Sequence, residues 1–181
     1  MTVTTTSARV MLASDLASKY STVYFGVGQS ATWDSKDTAP LEDVNSKAIP
    51  NPLAYIRVGD ATLCRPLLPN EATPANPITF NTKTYVRVSS KDAYTQQATC
   101  VYFEAKVNKD ALTSADSFAF RSSGLYIGVT PKSGVTKPVL LPTEITSAGV
   151  LFSYSNGSPR VLDDETSIRL GAVYTLAPFE A

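Results

Sequence analysis

The 181-residue chain contains no histidine. This removes the side chain that most often serves as a general base near neutral pH, and the commonest metal ligand. Ser-His-Asp and Cys-His arrangements are excluded with it. Cysteine is scarce too: Cys64 and Cys100 are the only two. Two thiols make neither a disulfide framework nor a four-ligand zinc site. Two readings of them stand, a pair of small buried thiols in strands or one bridge between neighbouring strands. Runs of one charge are also missing. Sixteen basic residues balance sixteen acidic ones, and no segment gathers lysine or arginine. Nucleic-acid binding rests on phosphate neutralisation by clustered positive charge, so no nucleic-acid partner is expected. No stretch approaches the ~20 apolar residues of a membrane span, and no membrane partner is expected. "MTVTTTSARV" has no apolar run of the kind a secretory signal needs. The chain therefore reads as made in a cytoplasm, remaining soluble or entering an assembly.

Several chemical motifs fail on inspection. "GVGQSATW" places glycines at 26 and 28, but a phosphate loop needs a following lysine and a helix, and neither is there. Close packing, a bulge or a strand end explains those glycines better. "LDDETS" gathers Asp163, Asp164 and Glu165. Hard cations take carboxylate oxygens, yet the alternating ligands and turn glycine of a calcium loop are missing. A solvated turn between two strands is the preferred reading. No carboxylate pair stands out for hydrolysis. An enzyme is not expected, nor is any cofactor.

What is present is β-like. At this length one domain is expected, large enough for a real core. Charged residues make up 18% of the chain, below the usual quarter or so, which suggests a surface partly covered by neighbours. "SARVMLASDLASKY" is the one helical candidate, with Ser14 or Asp15 able to cap a shorter helix. It follows a threonine-rich arm, so residues 1–20 read as arm plus helix. From residue 21 to 181 the pattern is that of a single antiparallel β-sandwich domain, mainly β, with long proline-rich loops. Strand candidates are "STVYFGVG", "LAYIRVG", "KTYVRVSS", "ATCVYFEAKV", "SFAFRSSGLYIGVT", "GVLFSYS" and "TSIRLGAVYTL". The fifth reads as one bent strand or as two joined through Ser122, Ser123 and Gly124. "PNPLAY", "CRPLLPNEATPANPITF" and "TPKSGVTKPVLLPT" hold most of the twelve prolines and read as ordered, extended loops.

One segment carries a resemblance. In "YFGVGQSATWDSKDTAP" a strand runs out through Tyr24, Phe25 and Gly26, then reaches Gln29, Ser30, the sole tryptophan Trp33, Asp34, Asp37 and Pro40. Near the other end come Gly149, Val150, Leu151, Phe152, Tyr154, Asn156, Pro159, Glu165 and Ile168. In this order, after a short helix, these segments resemble the baseplate wedge subunits of contractile-tailed bacteriophages, typified by gene product 8 of the T-even phages. After the tyrosine the family commonly reads Asn-Arg and further prolines, whereas this chain has "SNGSPRV". The middle of the chain carries no matching motif.

The resemblance implies a β-rich virion structural protein with no catalytic, cofactor or metal residues. It implies a homodimer in each wedge of the tail baseplate, joining inner wedge proteins to peripheral parts. The interface candidates carried over are Phe25, Gln29, Trp33, Asp34, Pro40, Tyr154, Asn156 and Pro159. The competing reading is a carbohydrate-binding or head or neck decoration sandwich, with Trp33 and Tyr55, Tyr85 or Tyr94 stacking on sugar rings. Tyr102 and Phe103 read as core. For Trp33 two placements stand open, a lid over its own core or an anchor in a partner.

Overall fold

The computed structural model describes residues 4–112, 118–163 and 167–176. Among the described residues the chain is mainly β with one α-helix, and every strand pairing with a described register is antiparallel, as the sequence leads one to expect. The helix α1 spans Thr6–Ser18. The strands are β1 (Val23–Gly28), β2 (Pro52–Arg57), β3 (Asp60–Pro66), β4 (Ile78–Phe80), β5 (Lys83–Arg87) and β6 (Cys100–Asn108). They continue with β7 (Phe118–Ile127), β8 (Thr130–Pro131), β9 (Val139–Leu140), β10 (Ile145–Ser147), β11 (Val150–Leu162) and β12 (Ser167–Thr175). Two five-stranded sheets run in the orders β11-β7-β1-β2-β9 and β12-β6-β3-β5-β4, and β10 pairs with β8. The chain divides into two compact units.

The first unit is Met1–Tyr20, Gly59–Glu104 and Gly171–Ala181. Its helix starts about two and a half turns earlier than Ser14 or Asp15 would cap it. Thr5 is the N-cap, and its hydroxyl accepts the Ala8 N–H at 3.2 Å, satisfying one of the free amides of the first turn. Val10 and Ala13 are the buried positions, an i,i+3 pair, and the helix packs against β3. The core beneath gathers Cys64, Ile78, Tyr85 and Cys100, with Phe80, Tyr102 and Val173 beside it. Cys64 and Cys100 are register partners across β3 and β6, and both are free and buried. Their mutual hydrogen bond, reinforced by burial, pushes the Cys64 thiol up. Both thiols are fully buried, so neither is expected to react with a maleimide in the folded protein, and both should react once it is unfolded. Rapid labelling of either cysteine in native buffer, read by intact mass, would contradict this.

The second unit is Ser21–Val58 and Ala105–Leu170. All six residues of β1 are buried, and β2 and β7 pair with it on either side. Gly26 faces Tyr55 on β2 and Gly124 on β7. A Cβ on Gly26 would stand 2.7 Å from the Tyr126 ring, so the absent side chain makes room for that tyrosine. A Cβ on Gly28 would meet the Pro50 carbonyl at 2.3 Å, at the point where the β1–β2 register shifts. The two glycines thus serve close packing and a strand-end irregularity. The core cluster holds Tyr24, Ile49, Tyr55, Tyr126, Val129 and Leu140. Burial pushes the Tyr55 phenol up to about 12, so it stays neutral.

Of the two readings of "SFAFRSSGLYIGVT" the single strand holds, since β7 runs unbroken through Ser122, Ser123 and Gly124. Two other features depart from the sequence reading. β11 continues well past "GVLFSYS", through "NGSPR" to Leu162, with register irregularities after Leu151 and after Asn156. β3, β4, β8 and β9 fall in segments read as connections. Of the acidic cluster, Asp164 and Glu165 lie outside the described residues.

Candidate functional site

The stretch from Gln29 to Asn51 leaves β1 and returns to β2 with little regular structure of its own. Its side chains and backbone amides nevertheless form a dense set of hydrogen bonds. The neck is closed by Gln29 and Asn51, both with left-handed backbone (φ +56° and +40°). The Gln29 N–H donates to the Asn51 carbonyl at 3.1 Å, and Asn51 Nδ2 donates to Gln29 Oε1 at 2.6 Å. Gln29 Nε2 then donates to the Ala31 carbonyl at 2.9 Å. One buried amide side chain thus satisfies polar groups on both limbs of the loop.

Asp34 and Asp37 shape the next turn. Asp34 Oδ1 accepts the N–H groups of Lys36 and Thr38 at 2.9 and 3.0 Å, as turn aspartates commonly do. Asp37 Oδ1 accepts the Trp33 N–H at 3.0 Å. The same carboxylate is gripped by Arg121 of β7, with Nε 2.9 Å from Oδ1 and Nη2 3.0 Å from Oδ2. Arg121 Nη1 also donates to the Ser30 carbonyl. A planar guanidinium meets a carboxylate in this forked way with defined orientation.

The loop then docks on β11, the terminal strand of its sheet. Trp33 Nε1 donates to the Gly157 carbonyl at 3.0 Å. Asn156 Nδ2 donates to the Pro40 carbonyl at 3.1 Å, and the Asn156 N–H donates to Glu42 Oε1 at 2.8 Å. The Asp43 N–H donates to Tyr154 Oη at 2.5 Å, and the Ser46 hydroxyl lies 3.1 Å from the same oxygen. Deeper in, the Ile49 N–H donates to the buried Tyr126 Oη at 2.8 Å. β11 is an edge strand, a place where unpaired amides invite foreign strands. Its bulges, Pro159 and the docked loop all occupy that edge.

The interface candidates fall into layers. Phe25 and Gln29 are buried. Trp33, Tyr154 and Asn156 are half-buried and bonded as above, while Asp34, Pro40 and Pro159 are exposed. Trp33, Pro40 and Asn156, from segments more than a hundred residues apart in the chain, meet at one place. Trp33 engages its own chain through its ring nitrogen. Of the aromatics weighed for sugar stacking, Tyr55 and Tyr85 are buried and Tyr94 is exposed in the other unit. Phe103 is buried and Tyr102 half-buried. Arg121, Glu42, Asp43 and Asn51 went unnoticed in the sequence. Arg121 gave one usable signal, as the only charged residue inside β7.

The hydrogen bonds from Arg121 and then from the Trp33 N–H hold the Asp37 carboxyl below its ordinary value. The Asn156 N–H does the same for Glu42. Both groups have depressed folded pKa values. Their contribution is complete above the ordinary carboxylate range and is lost as pH falls through the folded values. Loop docking should therefore hold at neutral pH and fail only in acid, below about pH 4. Trp33 is the sole tryptophan, so its emission reports this directly. The expected result is a red shift confined to acid. A shift centred between pH 6 and 8 would contradict the assignment.

A family model described as a baseplate wedge 3 tail fiber network component matches residues 1–176. Virion protein 3 of Enterococcus phage phiEF24C is 28% identical over 156 residues, 86% of this chain and 84% of the phage protein.

Proposed function

This chain belongs to the baseplate wedge 3 tail fiber network component family, and from that premise we propose that it is a non-enzymatic wedge subunit joining inner wedge proteins to peripheral parts of a contractile phage tail. The observation that carries the reading is the docking of Trp33 and residues 40–46 onto β11, which fixes a long loop in one arrangement. A surface ordered before binding loses less conformational entropy on docking, which favours stable contacts with several partners. In this reading Asp34, Pro40 and Pro159 face neighbours. Trp33, Tyr154 and Asn156 hold the face in shape, and Phe25 and Gln29 support it from below.

The absence of histidine and of a catalytic constellation supports a structural role over turnover. The balanced charge supports protein partners over nucleic acid. We place the protein in the wedge as a homodimer. Mass spectrometry of purified tails, free of heads, tests the reading. Peptides of this chain should appear at a fixed ratio to other wedge proteins, and their absence would overturn it. Light scattering on the isolated protein should give twice the chain mass, and a monomer mass at micromolar concentration would remove the dimer.

A further inference from the structure

Two aliphatic side chains in the docked loop face water almost completely. Leu41 is 92% exposed and Val44 98%. They flank Glu42 and Asp43, whose backbone and side chains pin the loop to Asn156 and Tyr154. On the strand side, the register skips a residue between Leu151 and Ser153, and the extra residue, Phe152, is itself exposed. Between loop and strand lies a pocket of about 350 Å3. Val44, Leu151, Phe152 and Tyr154 form its apolar part, and Glu42 and Asp43 are the charged groups that line it among the described residues.

We propose that this pocket is the docking site for a segment of a different tail protein, one that places an apolar side chain beside a lysine or arginine. The proposal rests on the baseplate reading above and names the chemistry of one partner. Charge complementarity selects the occupant. Among the described residues the lining holds two carboxylates and no cation. Asp43 Oδ1 takes the Asn45 N–H and Nδ2, while no described residue bonds Oδ2. The Asn156 N–H keeps Glu42 ionised well into acid. A second copy of this chain is a poor occupant. A two-fold contact sets a patch against itself, and here it would press Glu42 and Asp43 against the same pair. A cationic partner segment instead pairs with the acids while its apolar side chain covers Val44 and Phe152. Exposed aliphatics on a fixed loop are what such a partner would bury.

The test uses tails assembled in infected cells. A photo-reactive benzophenone amino acid replaces Val44, tails are purified and irradiated, and cross-linked peptides are identified by mass spectrometry. The expected product joins position 44 to another tail protein, within a few residues of a lysine or arginine that neighbours an apolar residue. In parallel, Val44→Asp competes with the wild-type chain for incorporation and should lose about tenfold or more, a typical interface effect. Its thermal melt should be unchanged, because Val44 has almost no intrachain burial to lose. Three results would overturn the docking site alone: a cross-link to a second copy of this chain, tails that contain the chain but give no cross-link, or equal incorporation of Val44→Asp. Tails lacking the chain altogether would instead remove the baseplate reading on which the proposal stands.

Discussion

Tyr126→Ala is expected to destabilise the folded protein by about 3–5 kcal/mol, the usual range for removing a large buried aromatic. Tyr126 is fully buried at the centre of its unit's core. Its ring meets Tyr55 edge-on, with centroids 5.2 Å apart, an arrangement aromatic pairs favour. It also fills the space that Gly26 leaves open, so nothing nearby can collapse into the hole without moving β1. The hydroxyl has a separate role, because it accepts the Ile49 N–H where the loop returns to the sheet. Tyr126→Phe keeps the ring and leaves that buried amide unsatisfied, at a cost of about 1–3 kcal/mol. Urea titration followed by circular dichroism distinguishes the two. A Tyr126→Ala variant within about 1 kcal/mol of wild type would mean that the core is not organised around this ring.

Trp33→Ala should spare the sheet and release the loop. The half-buried indole and its bond to the Gly157 carbonyl together contribute about 2 kcal/mol to docking. Lys36 and Lys47 are exposed within the loop and offer trypsin a direct readout. When opening is fast relative to cleavage, cutting follows the population of the open form. Cleavage at these two lysines should then accelerate about tenfold or more, while global unfolding shifts by less than the Tyr126 variants produce. Incorporation into tails should fall in parallel, since the docked face is the proposed assembly surface. Unchanged cleavage would show that Arg121, Glu42 and Tyr154 hold the loop without the indole.

The contrast between these residues shows what the sequence could disclose. β1, β2, β5, β6 and the helix were visible because short runs of β-branched, aromatic or helix-forming residues are bounded by clear breakers. β3 was hidden because it holds a single β-branched residue, Thr62, and ends on Pro66, which sits at the strand's last position, where a missing amide does little harm. β11 was cut short on paper because "SNGSP" reads as a turn. In the fold it continues, its irregularities absorbing the extra residues before Arg160, Val161 and Leu162 pair with Phe120, Ala119 and Phe118. The alternation in β2 suggested two unlike faces, yet Ala54, Tyr55 and Ile56 are all buried.

The site was half legible. Trp33, Asp37, Pro40, Tyr154 and Asn156 each stood in a segment with a family resemblance. That the two segments touch is a property of strand order. β7 lies between β1 and β11, so the loop after β1 must cross β7 to reach β11, and Arg121 grips it on the way. No spacing along the chain encodes that crossing. Leu41 and Val44 gave no signal at all, since an aliphatic residue in a loop reads the same whether it packs or faces water.

The most direct test of the account is a map of the native tail baseplate at a resolution that shows side chains. The account predicts this chain in the wedge, with the Trp33 indole on its own Gly157 carbonyl and with Leu41 and Val44 covered by a different protein. A chain located outside the baseplate, or one inside it whose residues 40–46 face solvent, would contradict it.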